Sequence, residues 1–290
     1  MIVLNKSSGW TSHDAVAKIR RLAQTKKVGH LGTLDPMATG VLPLVIGGAT
    51  RLSQFYVRSS KTYEAVVRFG FSTNTYDADG EPAGPEVAPT FTRDDLERWL
   101  PQFRGTFLQT PPPVSAKKIG GVRAYHLARK NIAVEIPAVE VTVSRLEILS
   151  FDLPQATLVI DCSGGTYVRS IAHDLGLLAG CRAHLSALIR TRSGEFHLDR
   201  ALSMERLEQM AADETFFQAV IPTAELLPDF PIEHVDDVTA GQIRHGRDFR
   251  ISPFRGTSDA KFVKAVNAAG ELIAIGELRI PQVYHPILVL

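Results

Sequence analysis

At 290 residues the chain is long enough for two domains, or one large and one small, at ~150 residues each. A hydrophobic share of 44 % and a charged share of 22 %, with 22 Gly and 17 Pro, exclude a disordered, collagenous or coiled-coil chain. No apolar run approaches the ~20 residues of a membrane span, and no apolar segment follows a basic start, so a cytoplasmic location without membrane contact is expected.

The formal net charge of +1 is a sum of unequal blocks. Residues 1 to 70 hold ten Lys or Arg against three acids, and 101 to 131 hold six Lys or Arg and no acid. Acids outnumber bases seven to two over 71 to 100 and six to one over 201 to 230. One such block reads as surface scatter; two, interleaved with aromatics, point to a polyanionic partner.

In chain order, Ser12 is expected to cap a helix running to about Gln24, with Val16, Ile19 and Ala23 on one stripe and Lys18, Arg20 and Arg21 on the other face. Val28 to Thr50 carries five glycines and two prolines, too broken for a long helix, and reads as a structured loop leading into a short strand. Tyr63 to Phe71, Val139 to Phe151 and Thr157 to Cys162 are β-branched, aromatic or apolar runs, expected to be strands of one largely antiparallel sheet. Helices are expected at 92 to 103, 124 to 130, 167 to 179 and 203 to 212, with Thr92 and Ser203 as caps. Gly120 and Gly121 read as a tight turn between the basic flanks Lys117, Lys118 and Arg123. After Pro231 short β-like runs alternate with turn residues, and seven acids balance seven bases, so a domain boundary is placed near 230: a catalytic domain over 1–230 and a β-rich module over 231–290.

Common catalytic signatures are missing from the sequence: it has no Walker A loop, GxGxxG, GxSxG, HExxH or EF-hand loop. Cys162 and Cys181 are too few and too far apart for a zinc framework and read as buried reduced thiols; no metal site is expected. What remains is the glycine-rich run from Gly29 to Gly40, in which Asp35 is the sole acid between Asp14 and Glu64. Pro36 biases Asp35 away from helical backbone. From the residues alone Asp35 is either an Asx-turn residue or a carboxylate held in an apolar pocket as nucleophile or general base.

The run GHLGTLDPMATGVLPL resembles the signature loop of the bacterial tRNA pseudouridine-55 synthases, the TruB family. KTYEAVVRFG, TYDADG, PPPVSAKKIGGVRAYHLAR and CSGGTYVRSIAHDLG resemble further blocks of that family in the same order, so that the likeness covers about residues 3 to 200. The tail resembles, more weakly, the small PUA RNA-binding module. The resemblance implies an α+β fold: a mixed, mainly antiparallel sheet with flanking helices, plus that C-terminal β-rich module. It implies isomerisation of a uridine in the T loop of tRNA to pseudouridine without a guide RNA.

In that reaction a glycosidic bond breaks, the uracil turns over, and the base is rejoined through C5. No group is gained or lost, so no cofactor is expected. The resemblance makes Asp35 the catalytic aspartate, Arg169 its guanidinium partner, and Tyr63 a group that stacks on the uracil and shares in proton transfer. It makes His30 the side chain that fills the place of the flipped base, with Tyr167 and Leu188 lining the pocket. Lys18, Arg20, Arg21, Lys117, Lys118 and Arg123 are expected to contact phosphates of the T arm. A monomer with no obligate protein partner is expected.

Two departures stand out: Lys6-Ser7-Ser8-Gly9, where proline usually follows the lysine, and Ile189, where a second arginine is common. Two rival readings are a non-catalytic RNA-binding protein on the same scaffold and a guide-dependent relative.

Overall fold

The computed structural model describes residues 1–114, 118–119, 122–123, 136–252 and 260–290, giving only the backbone for 118–119 and 122–123. In chain order the strands are β1 Ile2–Lys6, β2 Val28–His30, β3 Thr39–Ile46, β4 Lys61–Phe69, β5 Ser72–Thr73, β6 Pro82–Ala83, β7 Gly105–Gln109, β8 Lys118–Ile119, β9 Val122–Arg123, β10 Val139–Asp152, β11 Gln155–Cys162, β12 Ala183–Ser193 and β13 Phe196–His197. The tail adds β14 Ile232–His234, β15 Phe249–Arg250, β16 Phe262–Val266, β17 Leu272–Ile280 and β18 Val283–Val289. The helices are α1 Ser12–Leu22, α2 Ser53–Tyr56, α3 Arg93–Trp99, α4 Val168–Leu178, α5 Met204–Ala212 and α6 Asp237–Arg244.

The main sheet runs β1-β3-β12-β4-β11-β10-β7, with β2 added to β3 and β13 to β12. Its described pairings are antiparallel except β3 with β12, which run parallel. The expected mixed, mainly antiparallel α+β fold is therefore what the chain adopts. β12, about two-thirds of the way along the sequence, sits between β3 and β4, joining the N-terminal strands to the rest of the sheet. The stretch expected as a loop and short strand contains the eight-residue β3. Its glycines fall at the strand's ends, while Val41, Leu42, Leu44 and Val45 are buried.

Helix boundaries follow local chemistry. Thr11 caps α1, one residue earlier than expected, because its hydroxyl accepts from the Asp14 amide and the Asp14 carboxylate accepts from the Thr11 amide. That frees the Ser12 hydroxyl to exchange hydrogen bonds with Leu34, donating to its carbonyl at 3.1 Å and accepting from its amide at 2.9 Å. α3 has the same reciprocal cap at Thr92 and Asp95, then tightens into a 3₁₀ turn over Leu100–Phe103. Ser203 caps α5 as expected. β8 and β9 pair across the expected Gly120–Gly121 turn. The turn itself, Lys117 and the helix expected at 124 to 130 lie outside the described residues.

One apolar cluster fills the space between the main sheet and α1, α3, α4 and α5, with Phe69, Leu158, Ile171 and Leu185 among its fully buried members. Both cysteines are buried free thiols. The tail folds into a second sheet, β14-β16-β17-β18-β15, with its own apolar cluster around Ile243, Phe249 and Tyr284. A third cluster is shared: Val3, Val41, Val45 and Leu52 pack with Val266, Leu272, Ile275 and Leu288. The apolar interior thus continues across the boundary expected near 230.

α4 lies tightly on β12. A Cβ added at Gly176 would fall 2.0 Å from the Ala183 amide nitrogen, on backbone that has nowhere to move. Gly176→Ala is therefore expected to destabilise the fold by roughly 1–3 kcal/mol or more, read as a lower urea midpoint at unchanged slope.

Candidate active site

The loop between β2 and β3 carries Asp35 and is fastened almost wholly through its backbone. Gly32 (φ 102°) and Gly40 (φ 99°) bracket it in the left-handed region, and a Cβ at Gly40 would lie 2.3 Å from the Arg190 carbonyl oxygen. Arg190, fully buried on β12, donates to the carbonyls of Gly32 at 3.1 Å, Thr33 at 3.4 Å and Val41 at 2.7 Å. Lys6, 1 % exposed, donates to the carbonyls of Trp10 at 2.7 Å, Ser7 at 2.9 Å and Pro36 at 3.2 Å. With Ser12 on Leu34, these contacts pair much of the inward-facing polar backbone of a half-buried loop. They leave the Asp35 side chain about one-third exposed to a cleft.

Arg169 meets Asp35 from the first turn of α4. Its Nε lies 2.9 Å from Asp35 Oδ2, and Nη2 donates to Oδ1 at 3.2 Å, so the guanidinium edge spans both carboxylate oxygens. Nη1 lies 3.2 Å from Asp77 Oδ2 and donates to the Thr75 carbonyl at 3.0 Å; Nη2 also donates to the Val114 carbonyl at 3.1 Å. The guanidinium is 6 % exposed and the Asp77 side chain 5 %, so Arg169 is fixed by a wholly internal carboxylate and presents its other edge to Asp35. Burial pushes the Asp35 carboxyl above the usual carboxylate range; Arg169 pulls it down, Asp77 and Asp79 push it up, and Lys6 pulls it down.

The cleft in front of Asp35 has a volume of about 270 Å³ and is walled by Tyr63, Leu188, Tyr167, Val168 and the Gly165–Thr166 turn. Tyr63 is 7 % exposed, on β4 opposite Arg190 in the sheet register. Burial raises its phenol pKa, and the nearby Arg190 charge opposes that rise. Tyr167 is set by Gln109, which accepts from its amide at 2.8 Å and donates to its carbonyl at 3.0 Å.

Of the residues singled out from sequence, Asp35, Tyr63, Arg169, Tyr167 and Leu188 share this cleft. His30 lines an adjoining recess of about 200 Å³, in edge contact with His13 at 5.7 Å, and its Nδ1 is buried without a hydrogen-bond partner. Among the basic residues, Lys18 forms a surface ion pair with Glu208, and exposed Arg20 donates one guanidinium nitrogen to the Val28 carbonyl. Arg21 is exposed near the C-terminal end of α1. Lys118 and Arg123 face each other in the β8–β9 register as backbone positions only. Ile189 is about one-third exposed on β12, beside the buried Arg190.

Asp77, Arg190 and Lys61 were not singled out from sequence. Asp77 lies within the TYDADG block, whose alternating acids are the one signal that could have marked it.

Residues 20–168 match the TruB family pseudouridylate synthase N-terminal domain, and residues 169–227 the tRNA pseudouridylate synthase B C-terminal domain. The chain belongs to the TruB family. It is similar to the tRNA pseudouridine synthase B of Solibacter usitatus, 57 % identical over 290 residues and covering 100 % of this chain and 99 % of that protein. The corresponding Pseudomonas paraeruginosa protein is 42 % identical over 283 residues, covering 96 % of this chain and 91 % of that one. Among solved structures, the chain resembles one of a Cbf5–Nop10–Gar1 complex at a TM-score of 0.71 and 26 % identity, over 97 % of this chain and 78 % of that one. A chain of an H/ACA RNP bound to a substrate RNA superimposes at a TM-score of 0.73 and 24 % identity, over 100 % of this chain and 84 % of that one. A TruB family member is a pseudouridine synthase, so the cleft belongs to an isomerase that turns uridine in tRNA into pseudouridine.

The two carboxylates around Arg169 carry opposite expectations for pH. With its pKa raised, Asp35 is protonated below the acid limb of the kcat/KM profile, and that limb should lie above the ordinary carboxylate value of about 4. Arg169→Lys keeps the charge but loses the two-point contact, so kcat should fall roughly 10- to 100-fold and the limb should move to higher pH. Asp77→Asn removes a charge that raises the Asp35 pKa, so the limb should move to lower pH while kcat falls and KM for tRNA stays near the parent value. A pH–rate series on the three proteins checks both signs.

Proposed function

We propose that this isomerase acts on the T-loop uridine at position 55 of tRNA, with Asp35 as catalytic residue and without a guide RNA. The observation that carries the reading is a carboxylate gripped along both oxygens by a buried guanidinium yet open to a cleft sized for one nucleoside. Arg169 opposes the neutralising effect of burial, so Asp35 can act as an anion beside the sugar or the ring. Tyr63 and Leu188 offer apolar walls for a uracil freed from its sugar. The Tyr63 phenol stays protonated at neutral pH and can give or relay a proton when the base is rejoined.

A loop uridine reaches such a cleft by leaving its stack, at a cost of a few kcal/mol. His30, at the end of β2 beside the cleft, is placed to occupy the vacated space. Burial, then the His13 and Arg190 charges, lower its pKa, so it enters as a neutral ring. Guide-free action is supported by the likeness to the two tRNA pseudouridine synthases over nearly their whole length.

Position-resolved pseudouridine mapping on an unmodified tRNA transcript, with this protein as the sole added component, is expected to show conversion at the T-loop site alone. Asp35→Asn retains the shape and loses the charge. It should bind the transcript with near-parent affinity and give no product; a rate within tenfold of the parent would remove Asp35 from the chemistry.

A further inference from the structure

Besides Arg169, four lysines and arginines among the described residues are buried, and three of them are caged. Lys6 and Arg190 each donate to three backbone carbonyls, and Lys264 on β16 donates to the carbonyls of Ala224 and Leu226, both at 2.8 Å. Lys61 is different. It is 6 % exposed, yet its ammonium donates to a single acceptor, the Ser59 carbonyl at 2.6 Å. Among the described residues no carboxylate pairs with it; the charged or ionisable groups that face it are Arg190 and the Cys162 thiol. A buried ammonium with two unused N–H groups and no counter-ion is costly, and such a group persists where its anion arrives with a ligand.

Its position says which anion. Lys61 lines the cleft that holds Asp35 and also the recess that holds His30, and Gly32 and Gly165 are the other residues common to both. The Gly164–Gly165 turn packs against the ammonium, so that a Cβ at Gly164 would lie 3.2 Å from Lys61 Nζ and 2.5 Å from the Val57 carbonyl oxygen, while Lys61 lines both cavities. A strand that seats a nucleoside in the cleft and reaches His30 in the recess would cross the junction of the two, and the group that links successive nucleosides there is a phosphodiester.

We propose that Lys61 is a substrate-positioning residue that binds a phosphate flanking the target uridine at the junction of the two cavities. The phosphate supplies the counter-charge that the folded protein lacks, and the contact fixes the sugar relative to Asp35. This rests on the reading of the cleft as the seat of an RNA uridine.

The test is a cycle on a T-arm stem-loop in which each flanking phosphate is replaced in turn by a neutral methylphosphonate. Lys61→Met should raise KM roughly 10- to 100-fold and leave kcat within about threefold. One of the two methylphosphonates should reproduce that loss in the wild type and add nothing further in Lys61→Met. Losses that multiply, or a fall in kcat at unchanged KM, would overturn the assignment.

Lys61→Gln serves as the second variant. A third measurement needs no variant: burial holds the Lys61 ammonium down at about 8, so a bound phosphate should draw a proton onto the wild type at pH 8. Calorimetry in buffers of different ionisation enthalpy should show that uptake with the native stem-loop and lose it with the same methylphosphonate; equal uptake with both would overturn the proposal. If the wild type makes no pseudouridine in the native stem-loop, the reading of the cleft falls as well. If it does and the cycle shows no coupling, only the role of Lys61 falls.

Discussion

The Asp35–Arg169–Asp77 arrangement is the constraint on which the cleft depends. One guanidinium inside the protein faces two carboxylates, and their inequality makes it useful. Asp77 is sealed in and serves as a fixed counter-charge, while Asp35 retains a face toward the cleft. Without Asp77, Arg169 would lack its sealed-in counter-charge; without Arg169, two acids would lie close together in a poorly solvated interior and one would take up a proton. The rest of the region keeps these three groups in place: α4 is pressed onto β12 at Gly176, and Gln109 holds the residue at which α4 begins.

The loop that carries Asp35 is rigid because other side chains hold its main chain. Arg190, Lys6 and Ser12 come from three different elements and all bond to loop backbone. The loop's own side chains are thereby left for other work, so Leu34 can be buried and Asp35 can face the cleft. Cations used in this way keep their charge, but their N–H groups are taken up by carbonyl oxygens and are not free for direct contact with a phosphate. At the surface of α1, Lys18 is paired with Glu208, whereas Arg20 spends one guanidinium nitrogen on the Val28 carbonyl. A count of basic residues in the first 70 positions therefore overstates the number of side chains free for direct phosphate contacts.

Much of this was legible in the sequence. Caps, alternating β-branched runs and a lone acid among glycines are local signals; they gave α3, α5, β4, β10 and β11 and drew attention to Asp35, whose expected role came from the family resemblance. Most of what was missed is non-local. Nothing in HLSALIR shows that Arg190 turns inward beneath a loop some 150 positions earlier, and nothing near Asp77 shows that its partner lies on α4. The length of β3 was hidden because glycine and proline usually break strands, whereas here they sit at its margins or where β1 and β12 tolerate them. Ser12 was read as a cap on residue type alone; the structure gives that task to Thr11 and uses Ser12 to tether the loop.

The place of β12 between β3 and β4 also fixes an order of assembly. β1, β2 and β3 are among the first residues made, but they cannot join β4 until residues 183–193 exist, because β12 is the strand between them. At about 5–20 residues per second, the ribosome needs roughly 7–30 s to travel that distance. During that time the Asp35 loop lacks both Arg169 and Arg190, its sheet edge is unpaired, and contacts of such long sequence separation form slowly. The cleft is therefore incomplete until most of the chain has emerged, and the early strands depend on not finding another edge first.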